Sequence, residues 1–507
     1  HLTLTLASIY VGVFLAALDT TVIATLSAPI SSSFSSLSLL SWLASAYLIA
    51  NAACQPLSGR LTDIFSRRTG LVVSNIFFAA GNLICGLAGS AGVMIAGRVV
   101  AGMGGGGLMA ISTCVGSDLV PLRRRGLVQG IGNLVYGTGA GLGGIFGGWV
   151  NDVWGWRVAF LAQVPLVVLS GILVFFTVKI PPKISSKSAL SRVDFLGAFT
   201  LVLTLVLLLL GLNSGGNVVP WTHPLVLTSL PLSFISLLAF IYIEARIASE
   251  PIIPVHLLLN RTVAAACTTN FLTTASNFIS LFYLPIFLQT SAHLSPASSG
   301  LRLLPHSLGV SFGSLTSGFV MNYTGRYRIL SLTVLSIFVC GTGLLASLNA
   351  TSGPWIFMAL IGTGYGGILT VTLLAVIAAV AHEHQAVITS ATYAFRSSGS
   401  TLGITIASAI YQNLLARGLH ERFDGRPGSE KVIGGIRNGG EVEIPKYWER
   451  GVAESYWEAF RGVFLVSLGV AALGLVVGSL MGEHVLHKNL ERRVEVPAEG
   501  ERENDAA

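Results

Sequence analysis

The chain has 507 residues, of which 52% are hydrophobic and only 10% charged, with a net charge of +7. Soluble domains carry roughly 25% charged residues, so a soluble globule is excluded and an integral membrane protein is implied. The basic balance does not point to nucleic acid, because Lys and Arg fall in short loops between apolar runs, where orientation in a bilayer explains them.

Apolar runs of about 20 residues recur, the length that crosses a hydrocarbon core of ~30 Å. Spans are predicted near 4–28, 41–62, 70–90, 92–117, 126–150, 157–179, 194–213, 224–246, 263–289, 302–322, 328–348, 355–380, 386–412 and 460–482. The first run carries an Asp and lacks a small-residue cleavage site, so it reads as a retained span rather than a signal peptide. The chain opens at His1, and a preceding N-terminal segment is expected. Arg60, Arg67 and Arg68 fall on one side of the membrane with Arg123 to Arg125, Lys179, Lys183, Lys187 and Arg192. Arg246, Arg261, Arg326, Arg328 and the tail residues Lys488, Arg492 and Arg493 fall there too. The opposite loops hold little beyond Arg157 and Arg302, which places both termini in the cytoplasm and requires an even number of spans. Residues 413–459 form the one sizeable non-cytoplasmic loop. Within it, Tyr447 to Phe460 has helical spacing of aromatics and reads as an amphipathic helix at the interface, with substrate gating as the alternative. The charged tail after 483 reads as disordered. Cys54, Cys85, Cys114, Cys267 and Cys340 lie in apolar runs, an odd, buried set that argues against a disulfide framework.

An internal repeat is visible. Gly59, Asp63 and Arg67 recur as Gly318, Asn322 and Arg326 with the same offsets, each set closing the second span of a six-span block. Transporters are commonly built from such repeats, with the substrate site at their interface. The division predicted is a six-helix bundle over 1–179, a linker with two extra spans over 180–262, a second six-helix bundle over 263–482, and a tail over 483–507.

Few ionisable residues lie inside the spans. Asp19 lies in the first (FLAALDTTVIATL). A carboxylate there needs a cavity, water or a partner, and can bind and release a proton; the alternative is a hydrated or structurally hydrogen-bonded Asp. Arg98 lies near the start of the fourth span and is either an electrostatic partner for a carboxylate or an Arg that snorkels to the interface. The glycines between Gly102 and Gly107 have no preceding strand and no Gly-Lys-Ser/Thr, so they read as helix packing rather than a phosphate loop. In the loop 59–68, Asp63 can cap a helix N-terminus, and Arg67 and Arg68 can pair with it or with lipid phosphates. Gly139, Gly143, Gly144, Gly147 and Gly148 give the fifth span a glycine face, for sliding or for static packing. His382, Glu383 and His384 converge poorly on one ion and read as a solvated loop, so no metal is expected. Arg396 in the thirteenth span either lines a cavity or pairs with a carboxylate. No G-x-S-x-G, Walker loop or HExxH is present, and the chain is not read as an enzyme.

At these residues the sequence resembles the major facilitator superfamily. Gly59 to Arg68 matches its signature between spans two and three, with Ser66 where a second Gly is usual. Arg98 with Gly102 matches its fourth-span signature. The fifth-span glycines look like its antiporter motif, with Gly144 where a Pro is usual. LDTTVIATLSAPI, and YLPIFLQ followed by SPASSGLRLLP, resemble the fourteen-span drug:proton antiporter branch. WLASAYLIANAACQPLSGRLTDIFSRR, GNLVYGTGAGLGGIFGGWVND and the long loop before the last span are most similar to fungal vacuolar basic amino acid transporters.

The resemblance implies an all-α fold of two six-helix bundles plus two extra central helices. It implies alternating access with proton exchange, no cofactor beyond the proton gradient, and a functional monomer in the lipid bilayer. Asp19 and Arg98 would carry the proton-linked electrostatics. Asp63, Arg67 and the start of the thirteenth span would form a cytoplasmic latch. Asp19 could attract a cationic substrate, and Asn51, Gln55, Asn133, Asn270 and Asn277 are polar cavity candidates by depth. Three readings follow: import of basic amino acids into the vacuole, efflux of drugs or toxins at the plasma membrane, and a sensor that has lost transport. The retained coupling residues and short tail argue against the third.

Overall fold

The computed structural model describes residues 2–34, 39–180, 193–215, 219–248, 251–252, 255–291, 294, 301–348, 354–381, 384–423, 429–430, 433 and 448–484. The first bundle contains α1 (Leu2–Ser33), α2 (Leu39–Phe65), α3 (Arg67–Gly86), α4 (Ala91–Leu119), α5 (Leu122–Trp154), α6 (Trp156–Leu161) and α7 (Gln163–Thr177). Helices α8 (Phe195–Ser214), α9 (Pro224–Arg246) and the single turn α10 (Val255–Leu258) follow. The second bundle contains α11 (Arg261–Thr290), α12 (Leu304–Thr324), α13 (Arg328–Ala346), α14 (Trp355–Ala379), α15 (Gln385–Phe423) and α16 (Glu449–Gly478). The described residues form no strand, only one isolated bridge between Gly215 and Val219.

Helix occurs at every predicted span. Ten helices among the described residues are long and apolar enough to cross a membrane by length and composition alone. The other four predicted spans, at α2, α5, α12 and α15, are too polar to qualify. Their packing supplies the reason. α5 lies along α12 and α2 along α15, so these four helices form the seam between the bundles. A helix facing other helices or an aqueous gap need not be apolar all round. α8 packs on both α2 and α15, bracing the seam on one side. Arginines gather at one end of the bundles, the basic end: Arg67 and Arg68 in the first turn of α3, Arg124 and Arg125 in the first turn of α5, and Arg326 between α12 and α13.

Glycines set how closely the first bundle packs. A Cβ on Gly102 or Gly106 would run into the α2 backbone at Tyr47 or Asn51. A Cβ on Gly104 would strike the α3 backbone at Ser74 and Phe78. The glycine run of α4 therefore serves helix contacts on two faces.

The segment Tyr447–Phe460 departs from the sequence reading. From Glu449 onward it is not a separate interfacial helix but the first turns of α16, while α15 runs on to Phe423. Arg422 pairs with Glu458 at 2.6 Å, and Phe423 stacks on Trp448 with ring centroids 4.4 Å apart. Backbone hydrogen bonds within each helix and ion pairs between them let α15 and α16 continue as a paired extension past the apolar stretch.

Candidate functional site

Asp19 and Arg98 form an ion pair inside the first bundle, with Arg98 Nη1 2.7 Å from Asp19 Oδ2 and both side chains 0% exposed. Arg98 Nε donates to the carbonyl of Leu43 at 3.1 Å, and its guanidinium carbon lies 4.5 Å from the centroid of the Tyr47 ring. Asp19 Oδ1 and Arg98 Nη2 have no hydrogen-bond partner among the described residues. Full burial rules out a hydrated Asp and a snorkelling Arg. A buried pair with unused hydrogen-bonding capacity is costly, and it persists where packing holds it. Here the packing is glycine-made. A Cβ on Gly139 would collide with the carbonyl of Phe14, and one on Gly143 with Leu18 and Thr21, so α5 presses on the stretch of α1 that carries Asp19. Gly147 continues this row at a four-residue spacing and is buried. Gly144 and Gly148 fall beside it, and a Cβ on Gly148 would meet nothing within 4 Å. The five glycines therefore do not form one contact face.

A second charge network lies at the basic end. Arg67 Nη2 is 2.6 Å from Asp63, and its Nε is 2.8 Å from Asp118. Its Nη1 donates to Thr62 Oγ1 at 2.6 Å and to the carbonyl of Gly59 at 3.3 Å. Arg68 lies apart from this cluster, its guanidinium 3.8 Å from the Phe175 ring centroid. All these contacts of Arg67 stay within the first bundle.

Hydrogen bonds across the seam come from other residues. Arg125 Nη1 donates to Gln385 Oε1 at 2.7 Å, and Cys114 Sγ lies 3.8 Å from the carbonyl of Ala386. Thr113 and Tyr393 share a hydrogen bond of 2.6 Å. Deeper in, Ser397 donates to Gln55 Oε1 at 2.9 Å and Asn133 Nδ2 donates to Ser314 Oγ at 2.7 Å. Each of these contacts lies on the basic-end half of the helices that make it, save that Ser314 stands at the middle of α12. Arg125 and Cys114, rather than Arg67, supply the hydrogen bonds described here to the start of α15.

The polar candidates divide into two groups. Gln55 donates to Asn51 Oδ1 at 2.7 Å, and both residues sit at the seam with Asn133. Asn270 and Asn277 are instead enclosed in the second bundle, where Asn270 accepts from Thr372 at 3.1 Å and Asn277 meets His306 at 2.7 Å. Arg396 is half-buried, with its guanidinium 4.7 Å from the Tyr393 ring centroid and no carboxylate partner among the described residues. Asp19 cannot receive a cationic solute in this conformation, since Arg98 occupies it. His382 and Glu383 lie outside the described residues.

Sequence reasoning missed Asp118, Arg125 and Tyr393. Asp118 carried a usable signal, because an acid in the last turn of α4 opposes the helix dipole and so calls for a cation nearby. Arg125 carried none, since it stands third among three adjacent arginines.

Two helical bundles facing each other across a polar seam, with buried ion pairs inside the apolar body, define a polytopic membrane transporter rather than an enzyme. The sequence pattern of the Major Facilitator Superfamily matches residues 9–404, and the chain belongs to that family. It is 38% identical over 499 residues to the multidrug resistance protein fnx1 of Schizosaccharomyces pombe, covering 96% of this chain and 94% of that one. It is 36% identical to the vacuolar membrane amino acid uptake transporter fnx2 of the same yeast, covering 83% and 74% of the two chains. It is 32% identical to the vacuolar basic amino acid transporter 2 of Saccharomyces cerevisiae, covering 87% and 97%. Solved structures agree on the fold. The human organic anion transporter MFSD10 superposes with a TM-score of 0.58 at 13% identity, covering 92% of this chain and 99% of that one. The proton:xylose symporter XylE gives 0.57 at 14% identity, covering 96% and 98%.

Proposed function

We propose that the protein is a proton-coupled antiporter that moves basic amino acids into the fungal vacuole by alternating access. The Asp19–Arg98 pair carries the coupling part of this reading. It is fully enclosed in the first bundle, and one oxygen of its acid has no partner among the described residues. Protonating Asp19 removes the counter-charge of Arg98, so the conformation that encloses both becomes less favourable. A proton then shifts the equilibrium by its differential affinity for the two conformations. The substrate part rests on the two vacuolar relatives.

The loop arginines orient the basic end toward the cytoplasm under the positive-inside rule. The hydrogen bonds that join the bundles at that end then fit a cytoplasm-closed, lumen-facing state. A second reading, plasma-membrane efflux of drugs or toxins, is favoured by the 38% identity to a multidrug resistance protein.

Uptake of labelled Lys, Arg and His by proteoliposomes, with and without an imposed pH gradient, tests the proposal. Gradient-dependent accumulation is expected. Gradient-driven drug movement with no amino acid uptake would replace it by the second reading. Asp19→Asn should reduce proton-driven accumulation by at least about tenfold, an effect of 1.4 kcal/mol or more, while exchange of labelled for unlabelled amino acid across the membrane persists. Full accumulation by the variant would remove Asp19 from coupling.

A further inference from the structure

Arg396 lies eleven residues into α15 (385 to 396), roughly 17 Å along the axis and so near the middle of a core about 30 Å thick. Its position on the helix is bracketed by two contact stripes. On one side, Thr392 meets Cys267 of α11 at 3.9 Å, and a Cβ on Gly399 would collide with the Phe271 backbone. On the other, Tyr393 and Ser397 bond to Thr113 and Gln55 of the first bundle. Arg396 falls between these stripes and so faces the interior rather than lipid. Its guanidinium is held against the Tyr393 ring, and no acid pairs with it among the described residues.

The gap beside it, between α1, α4 and α5 of one bundle and α14 and α15 of the other, mixes apolar side chains such as Leu373 and Ile377 with tyrosines, hydroxyls and amides, has Arg125 at its basic end, and holds no Asp or Glu among the described residues. Arg125 is itself held by Gln385 and by the carbonyl of Val120. Asp19 is sealed by Arg98. Among the described residues no acid therefore faces Arg396 at mid-depth, which does not suit a site that reads cationic solutes through an acid.

We propose that Arg396 is the carboxylate anchor of the transport site and takes the α-carboxylate of the amino acid. The inference rests on the amino acid reading above and deepens it. A guanidinium stays charged under any accessible condition, and its planar fork matches a carboxylate with two parallel hydrogen bonds. A permanent cation at mid-membrane without a resident acid is stabilised by a solute that brings one. Solutes of this site should then be recognised by their acid group, whatever their side chain.

Proteoliposome transport of L-lysine, lysinamide and cadaverine by wild type, Arg396→Gln and Arg396→Lys distinguishes the outcomes. Wild type should carry lysine at least tenfold faster than the two analogues that lack a carboxylate. Arg396→Gln should raise KM for lysine at least tenfold and level the three solutes. Arg396→Lys keeps the charge but not the fork, and should fall between them. Lysine should raise the unfolding temperature of detergent-purified wild type and not that of Arg396→Gln, which separates lost binding from lost folding. Should Arg396→Gln not fold, Arg396→Lys still decides, because an unchanged lysine KM and selectivity in that variant overturns the fork. Lysine transport that ignores both substitutions overturns the anchor and leaves the amino acid reading standing. A wild type that carries no amino acid overturns that reading, and the anchor with it.

Discussion

The two bundles reverse direction at equivalent places, between Gly59 and Arg67 in the first and between Gly318 and Arg326 in the second. The residue types and offsets nearly match, yet the chemistry differs. In the first loop Asp63 and Asp118 clamp a buried Arg67. In the second, Asn322 stands where Asp63 does, and Arg326 is exposed. A feature does survive in both: the residue just before the Arg has a positive φ, 130° at Ser66 and 71° at Gly325. The two turns still differ in ψ, 154° at Ser66 and 8° at Gly325, so the shared spacing marks where the backbone turns from one helix into the next and not one turn conformation. Among the described residues, the buried Arg–Asp network belongs to the first half.

The largest test of that contrast removes the cation. Arg67→Met removes the cation that Asp63 and Asp118 share, and should destabilise the purified protein by about 3–5 kcal/mol. Arg326→Met should stay within about 0.5 kcal/mol. Thermal unfolding in detergent reads both, and similar losses would break the asymmetry. A gentler test exchanges the acids. Asp63→Asn gives the first loop the amide of the second and should cost about 1–3 kcal/mol, because Asp118 still holds Arg67. The reverse change, Asn322→Asp, places a carboxylate near an exposed Arg and should move stability by less than about 1 kcal/mol.

The smallest test concerns the turn. Ser66 occupies a backbone region that is essentially glycine's, at a cost of about 1–3 kcal/mol. Its hydroxyl accepts from the Thr69 amide at 3.2 Å and offsets a part of that. Ser66→Gly should therefore stabilise by about 1 kcal/mol, since Ser to Gly at an N-cap loses only a few tenths. Gly325→Ser should destabilise by about 1–2 kcal/mol. A loss on Ser66→Gly would mean that the hydroxyl bond outweighs the backbone strain.

Much of this architecture is legible in hydropathy, because the length of an apolar run follows directly from bilayer thickness. The exceptions are instructive. The start of α16 reads as an interfacial helix because its aromatics recur at helical spacing, and only the facing Arg422 reveals that Glu454 and Glu458 are taken up by a neighbouring helix. Asp19 and Arg98 each stand out as charges in apolar runs. Their pairing, across 79 residues of sequence, follows from glycine contacts that no local pattern announces. Asn270 and Asn277 have suitable depth but the wrong azimuth, and depth alone could not separate them from Asn133. Ser66 is visible as a departure from the family's pattern, but its meaning appears only with its φ.

The crossing of α5 and α12 has a mechanical consequence. Near the basic end these helices meet through Gly126 and Gly318, and a Cβ on Gly318 would strike the Gly126 carbonyl. Two rods that touch backbone to backbone, with the flexible ends of Met321 and Leu374 beside Gly126, can swivel there. From Gly126 to its far end at Trp154, α5 is a lever of roughly 40 Å, so a tilt of about 10° at the fulcrum displaces the tip by about 7 Å. A single methyl group at either glycine is a wedge in the hinge, and its effect is multiplied along the length of the arm.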